Sequence, residues 1–315
     1  MKDTYQKNMH GKNINMKNIS QKQFSYITLT PSFIFILLIS IVPVIISIIM
    51  SFRLELLYNP DVSKWIGFRN FNDLFEDRRF WTSVKLTLLW SSVVVFIELL
   101  IGFVLALFLN KYEFLKNTIR TLLILPVFVS PIAMGLTWRY IFEPVSGLAN
   151  WLINNFLGLE KIKWIASPDF ALGTLMFVDI WQWTPFVTIV FLAGLQSLPK
   201  DIIEASKLDS IKGFYYIRYI VLPMLTPLLI VILLLRLVDS IKIFDIVFIM
   251  TAGGPGSSTL LASVYDYIIF NRGELGKMAA FGFLILFLVN ILVFLFLYFF
   301  KKINSNQEKI KIYIK

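Results

Sequence analysis

The sequence contains no cysteine and only one histidine among its 315 residues. The missing cysteine excludes disulfide bonds, zinc–thiolate sites and cysteine nucleophiles, and a single histidine argues against a histidine-based metal or acid–base centre. The motifs GxxxxGK[ST], GxSxG and HExxH are absent as well. We therefore expect a protein that is not an enzyme, that binds no metal or cofactor and that takes its energy from another polypeptide.

Charge is also scarce, because charged residues make up 16% of the chain whereas hydrophobic residues make up 57%. A soluble domain has roughly 25% charged residues, so this composition predicts an all-α integral membrane protein. A membrane-spanning helix needs roughly 20 apolar residues. One polytopic domain, residues 29–300, is predicted to contain six spans, at residues 29–52, 82–109, 122–141, 170–195, 222–250 and 279–300.

The distribution of lysine and arginine predicts the orientation of these spans. With both termini in the cytoplasm, the cytoplasmic pieces hold 17 basic and 6 acidic residues, and the opposite pieces hold 9 and 10. Cytoplasmic loops carry such an excess of positive charge. We therefore expect a multi-pass protein of the cytoplasmic membrane with basic cytoplasmic tails at residues 1–28 and 301–315. A nucleic-acid partner is not expected, because the charge lies in short loops and tails.

The longest charged interruption in the C-terminal half, residues 195–227, lies between two apolar runs. Its apolar residues recur at three- and four-residue steps, which predicts an amphipathic helix; they are Ile202, Ala205, Leu208, Ile211 and Tyr215. Gly213 is predicted to end this helix, and a second short helix is expected before Leu222 and Pro223 start a new membrane segment. From physics alone, a helix lying on the lipid surface explains the pattern.

The order of residues in this segment also indicates a resemblance to a known motif. The string E-A-S-x-x-D, followed after ten intervening residues by I-x-L-P, resembles the EAA loop of binding-protein-dependent ABC importer permeases. The residues that the resemblance assigns to ATPase coupling are Glu204, Ala205, Ser206, Asp209, Ser210, Gly213, Leu222 and Pro223. Ser206 replaces the second alanine of the family pattern, and Ser210 stands at its glycine. Gly213 follows three residues later, which displaces the expected bend.

This resemblance implies the role of the whole chain. It implies a cytoplasmic coupling helix in loop 196–221, between the fourth and fifth spans, and half of a pore completed by a second permease. Two ATPase subunits would bind ATP and Mg²⁺, and an extracytoplasmic solute-binding protein would deliver the solute. The neighbouring strings L-A-G-L-Q-S-L-P-K and T-A-G-G-P-G-S-S-T are similar to those of the sugar and glycerol-phosphate group. An ion-coupled secondary transporter of a small polar solute and a polytopic membrane enzyme are the alternatives.

Ionisable residues inside apolar spans are the second signal, because each is costly unless it is paired or hydrated. Glu98 has no evident partner. The fifth span carries Lys242, for which a local ion pair is expected, among residues of alternating charge at three-residue steps. On a continuous helix these steps place Arg236 and Asp245 on opposite faces. The candidate substrate-pathway residues are Asp179, Trp181, Gln182, Trp183, Arg236, Asp239 and Asp245.

The same residues suggest a class of solute. The cations within the spans are matched by carboxylates, so no net positive pocket for a phosphate ester is evident. Carboxylates, an amide and indole rings instead suit the hydroxyls and the apolar faces of a sugar. We therefore expect a neutral mono- or oligosaccharide.

Overall fold

The computed structural model describes residues 21–111 and 116–313, and these residues are mostly helical. The helices are α1 (Gln21–Ser51), α2 (Arg69–Glu76), α3 (Arg78–Lys111), α4 (Lys116–Phe128), α5 (Pro131–Ile141), α6 (Leu148–Leu157), α7 (Pro168–Gln196), α8 (Lys200–Leu208), α9 (Gly213–Tyr216), α10 (Leu222–Ile241), α11 (Asp245–Thr251), α12 (Ala262–Asn271) and α13 (Leu275–Tyr313). A single turn of 3₁₀-helix, Pro60–Val62, and a π-helical segment, Ile217–Val221, complete the helical elements.

Two short strands depart from the all-α prediction. Strand β1 (Arg53–Leu54) pairs antiparallel with β2 (Lys64–Trp65) in the loop after α1. The amide of Asn70 fixes this loop to the bundle, because its Nδ2 donates to the carbonyl oxygens of Ser51 at 2.8 Å and Arg53 at 2.9 Å. Aromatic packing holds the loop as well, because the ring centroids of Phe52 and Phe71 lie 5.4 Å apart.

Within the described part of the chain, five helical segments are long and apolar enough to cross a membrane: Thr28–Ser51, Arg78–Lys111, Pro168–Gln196, Gly213–Thr251 and Leu275–Tyr298. These match five of the six predicted spans. The remaining predicted span, residues 122–141, is a pair of helices, Thr121–Phe128 and Pro131–Ile141, bent by 99°. The described residues thus contain five candidate spans, or six if the bent pair is one span. Proline explains the break, because the residue before Pro131 is pushed out of the helical region.

The ends of the chain differ from the predicted division. Residues 1–20 of the predicted N-terminal tail lie outside the described residues, and α1 already begins at Gln21. At the other end α13 continues as helical backbone through the predicted tail to Tyr313.

The apolar core has two parts, one towards each end of the bundle. The part near α8 centres on Leu109, Phe191, Leu195 and Val221. The part at the opposite end centres on Trp90, Tyr265 and Phe281 and holds α2, α11 and α12 against α3 and α7. Helix α1 packs against α13, but none of the residues in its most apolar window is fully buried.

At the end of the bundle away from α8, a hydrogen bond joins α12 to the residue that precedes α3. The hydroxyl of Tyr265 on α12 donates to Oδ2 of Asp77, just before α3, at 2.9 Å. Burial alone would raise the pKa of Asp77, but bonds from the backbone N–H of Arg79 and the hydroxyl of Tyr265 outweigh it and lower the pKa. Burial and the same Asp77 carboxylate raise the pKa of Tyr265, so the bond is between a phenol and a carboxylate.

Candidate functional site

Three buried charges from three helices meet in the middle of the bundle. Arg236 of α10 donates from Nε and Nη2 to the two carboxylate oxygens of Glu98 on α3, each at 2.7 Å. Its Nη2 also lies 3.3 Å from Oδ2 of Asp179 on α7. The exposed fractions of the three side chains are 2%, 0% and 1%. The partner of Glu98, which the sequence left open, is therefore Arg236.

The network is closed on one side by an aromatic ring. The guanidinium carbon of Arg236 lies 4.6 Å from the centroid of Trp183, within range of a cation–π interaction. Bidentate pairing with Glu98 satisfies the fork geometry of arginine. These contacts offset the cost of burying three charges far from water.

A cavity of about 300 Å³, called here the polar cavity, opens beside this network. Six of the seven candidate pathway residues line it: Asp179, Gln182, Trp183, Arg236, Asp239 and Asp245. Pro131, Lys242, Ile243 and Phe244 also line the polar cavity. The structure thus brings together residues from α5, α7, α10 and α11.

Two helix breaks border the polar cavity. One separates α4 from α5, where Nε2 of Gln182 lies 3.5 Å from the carbonyl oxygen of Val129. The other is residues 242–244, which separate α10 from α11. Irregular backbone at membrane depth is tolerated where it is buried in protein or lines a cavity. Broken helices also border the binding sites of many transporters.

The second break corrects the helical-wheel prediction for the fifth span. Arg236 and Asp245 are not on opposite sides, because the chain is not helical at residues 242–244 and both line the polar cavity. Lys242 forms the expected local pair, with its Nζ 3.1 Å from Oδ1 of Asp239.

Two buried acceptors of the polar cavity remain unused. Oδ1 of Asp179 and Oε1 of Gln182 have no hydrogen-bond partner among the described residues, although these side chains are only 1% and 2% exposed. The cations of the cavity are engaged, Arg236 by Glu98 and Lys242 by Asp239. The arrangement therefore favours a ligand that donates hydrogen bonds.

Trp181 is the predicted pathway residue that the structure separates from the others. It lines a different, apolar cavity between α3, α4 and α7, and its ring centroid lies 5.4 Å from that of Trp138. Residues two positions apart on a helix point about 200° apart, so Trp181 and Trp183 lie on nearly opposite faces of α7. Trp183 borders the polar cavity and Trp181 does not.

The coupling-motif residues lie at the other end of the bundle, on and after α8. Ser206 is buried, at 4% exposure, and its hydroxyl donates to the carbonyl of Ile203 at 2.7 Å. Glu204, Ala205 and Asp209 are exposed. The predicted apolar stripe is exposed too: Ile202, Leu208 and Tyr215 are 42%, 86% and 66% accessible. Helix α8 therefore presents an amphipathic face that none of the described residues covers.

The bend after α8 differs from the prediction. The helix ends at Leu208, before Gly213, and Gly213 instead begins α9 with φ +61°. Ser210 has φ +56°, the left-handed conformation that glycine adopts most easily. The family's glycine position is thus left-handed here although serine occupies it.

The second short helix expected before Leu222 is present as α9 and the π-helical segment Ile217–Val221, and α10 begins at Leu222. These elements follow one another without a break from Gly213 to Ile241. Proline cannot donate a backbone hydrogen bond. A π-turn just before Pro223 accommodates that loss without ending the helix.

The family model for the inner membrane component of binding-protein-dependent transport systems matches residues 98–305, more than half of the chain. The chain belongs to this family, the permeases of ABC importers. The resemblance seen in the EAA-like loop is thereby confirmed.

Several curated relatives carry sugar names. The trehalose/maltose transport system permease protein MalF of Thermococcus litoralis is 33% identical over 84% of this chain and 89% of its own length. The trehalose transport system permease protein SugA of Mycobacterium tuberculosis is 27% identical over 88% of each chain. The sulfoquinovosyl glycerol transport system permease protein SmoG of Agrobacterium fabrum is 32% identical over 75% and 77%.

A solved structure shares the fold. It is a chain of a bacterial ABC transporter that imports the acidic polysaccharide alginate, with a TM-score of 0.78, 23% identity and coverage of 91% of this chain and 98% of that one. These relatives give no support to an ion-coupled transporter.

Proposed function

We propose that this permease forms half of the translocation pathway of an ATP-driven importer for a carbohydrate, delivered by an extracytoplasmic solute-binding protein. The observation that carries the proposal is the polar cavity, where carboxylates, an amide and an indole ring meet between broken helices. Its volume of about 300 Å³ falls at the lower end of ligand pockets, roughly 300–1,000 Å³. The sugar-permease relatives support the same class of solute.

Within the cavity each pathway residue has a proposed role. Asp179 and Gln182 accept hydrogen bonds from sugar hydroxyls through their unused oxygens, and Trp183 packs against the apolar face of the ring. Asp239 and Asp245 accept further hydroxyls. Arg236 positions Asp179 and Trp183 rather than binding an anion, because Glu98 already occupies its guanidinium. This set of groups favours a neutral saccharide.

The rest of the importer follows from the family. A second permease would complete the pore, two ATPase subunits would bind ATP and Mg²⁺, and this chain would bind neither. The uncovered surface of α1 supports a contact with lipid or with the second permease.

The coupling role is proposed for the α8 region, meaning Glu204, Ala205, Ser206, Asp209, Ser210, Gly213, Leu222 and Pro223. Its support is the uncovered amphipathic face of α8, since helices with such faces dock into apolar grooves on partner proteins. Buried Ser206 anchors the helix to the bundle, and the exposed side carries Glu204.

Charge reversal tests this role. Glu204→Lys should abolish uptake and reduce co-purification of the ATPase, while solute binding to the binding protein stays normal. Asp201→Lys is the matched control, because Asp201 is an exposed carboxylate in the first turn of the same helix. Uptake and ATPase association that survive Glu204→Lys would refute the role.

Orientation is proposed with both termini and α8 in the cytoplasm, on the basis of the lysine and arginine excess. The chain has no cysteine, so single cysteines can be introduced without background labelling. Ser210→Cys should react with an impermeant maleimide only in opened cells, and Ser257→Cys should react in intact cells. The opposite pattern would invert the topology.

A further inference from the structure

We propose that a groove along α7 binds a phospholipid whose head group carries an amine. The groove consists of two adjoining cavities, of about 840 and 370 Å³. Both are lined by Gly173 and Phe177, so they form one path along the helix, called here the α7 groove. It lies on the side of α7 that carries Trp181, apart from the polar cavity.

The polar end of the α7 groove lies at the first turn of α7. Asp169 is the only charged residue among the described residues that line the 370 Å³ cavity, beside the rings of Phe142, Trp164 and Phe170. Neighbouring ring centroids are 5.6 Å apart for Phe142 and Trp164, and 6.3 Å apart for Trp164 and Phe170. Several aromatic faces and a carboxylate together favour an ammonium group.

The other end of the α7 groove is apolar. Its lining comes from α3, α4 and α7, with Ile97, Leu123 and Trp181 as examples, and none of its described lining residues is charged. The hydroxyl of Thr184 is one of the few polar groups there. This part offers nothing to a sugar and suits an acyl chain.

The dimensions match a lipid in one leaflet. Helix α7 begins at Pro168 and is a candidate span, so Asp169 lies where the helix enters the membrane. The apolar lining on α7 extends from Gly173 to Pro185, about 18 Å at 1.5 Å per residue. One leaflet contributes about 15 Å of hydrocarbon.

A lipid explains both ends of the groove, whereas an apolar helix of a second permease would explain only the lower part. The carboxylate at the aromatic end favours a cation, and an apolar helix entering the membrane supplies none at a fixed place. An amine-bearing phospholipid joins a cation to an acyl chain. It can also reach the groove laterally from the bilayer.

Lipid retention in native mass spectrometry tests the proposal. The full chain is extracted in mild detergent with the subunits that stay bound, stripped of lipid and mixed with dioleoyl phosphatidylethanolamine or dioleoyl phosphatidylglycerol. The ethanolamine lipid should be retained about fivefold more than the glycerol lipid, given the strength of a cation–π contact at an exposed site. Asp169→Asn, an exposed and conservative change, should remove most of this preference.

A variant that fills the α7 groove provides a second test of lipid retention. A Cβ added at Gly173 meets no atom within 4 Å, so Gly173→Leu should fold, fill the groove with its side chain and abolish retention of both lipids. Gly282→Leu is the matched control, because Gly282 is also helical and equally open, and it should retain the lipid as the unaltered protein does. Equal retention of the two lipids, or unchanged retention in Gly173→Leu, would overturn the proposal. So would a cross-link from Gly173→Cys to a second permease chain in place of lipid.

Discussion

Arg236 and Glu98, which are 138 positions apart in the sequence, form a two-pronged ion pair with both contacts at 2.7 Å. The pair joins α10 to α3, and the contact to Asp179 extends it to α7. The guanidinium therefore holds three helices together beside the polar cavity. The carboxylates of Glu98 and Asp179 neutralise its positive charge.

Removing the arginine should be strongly destabilising. Arg236→Met leaves Glu98 and Asp179 buried without a cation, and breaking a buried pair in this way costs about 3–5 kcal/mol. Thermal unfolding of the detergent-solubilised chain measures the loss. Lys85→Met, an exposed position on α3, should change stability by no more than about 0.5 kcal/mol.

A double variant separates charge from packing. Glu98→Gln combined with Arg236→Met removes charges of both signs, so it should recover part of the stability lost in Arg236→Met. No recovery would show that the methionine fails through its shape, contrary to the charge argument.

Close packing of α3 against α7 depends on Gly102. A Cβ at this position would lie 2.7 Å from Cγ1 of Val187 and 3.2 Å from the backbone nitrogen of Thr188. Gly102→Ala should therefore destabilise the chain by about 1–3 kcal/mol, as overpacking does, and Val187→Ala should restore part of it. Gly282→Ala, where nothing lies within 4 Å, should be neutral or slightly stabilising in the same unfolding measurement.

The sequence predicted the membrane class, the family and five of the spans, because long apolar runs and the EAA-like string are local features. It could not predict the Glu98–Arg236 pair, since helical periodicity does not report which helices become neighbours. A hint was present: an isolated glutamate and an isolated arginine in apolar spans each need an opposite charge.

Helical periodicity predicts the geometry of the site wrongly where the backbone departs from a continuous helix. The helical-wheel prediction for the fifth span is wrong because residues 242–244 are not helical. No proline or glycine among these residues indicates the break. The bend in the third span does have a mark, at Pro131. Trp181 was grouped with Trp183 by proximity in sequence, although their directions on α7 differ.

The left-handed backbone at Ser210 predicts the effect of restoring the glycine of the family pattern. Ser210→Gly should stabilise the chain by about 1 kcal/mol and preserve uptake, because a non-glycine residue pays roughly 1–2 kcal/mol in this conformation. Ser210→Val should lose stability. Ser197→Gly is the control, since Ser197 at the end of α7 has φ −86° and gains nothing from glycine.

Asp266 on α12 predicts a dependence of stability on pH. Burial raises its pKa from 3.8 to about 7, and its Oδ1 has no partner among the described residues. The pKa of Asp266 is higher in the folded chain than in the unfolded chain. The stabilising contribution of the protonated carboxyl group is therefore fully present below about pH 4 and is lost as the pH rises through 7. The midpoint temperature of thermal unfolding should therefore be lower at pH 8 than at pH 5.

The Asp266→Asn variant isolates this contribution. Its unfolding midpoint should vary less over the same range, while the exposed control Asp61→Asn should behave like the unaltered chain. An identical pH profile in Asp266→Asn would assign the dependence to other groups.

Uptake by vesicles that contain the whole importer tests the central proposal, that the polar cavity contacts a neutral sugar. Labelled neutral saccharides, uronates and phosphate esters are compared in the unaltered importer and in three variants. Neutral saccharides should be taken up, and Asp179→Asn and Trp183→Leu should lower that uptake at least about tenfold, as expected for a lost hydrogen bond to a charged group or a lost aromatic contact. Trp181→Leu should retain most of it, because Trp181 lies outside the polar cavity. Uptake of phosphate esters alone, or equal losses in Trp181→Leu and Trp183→Leu, would contradict the account.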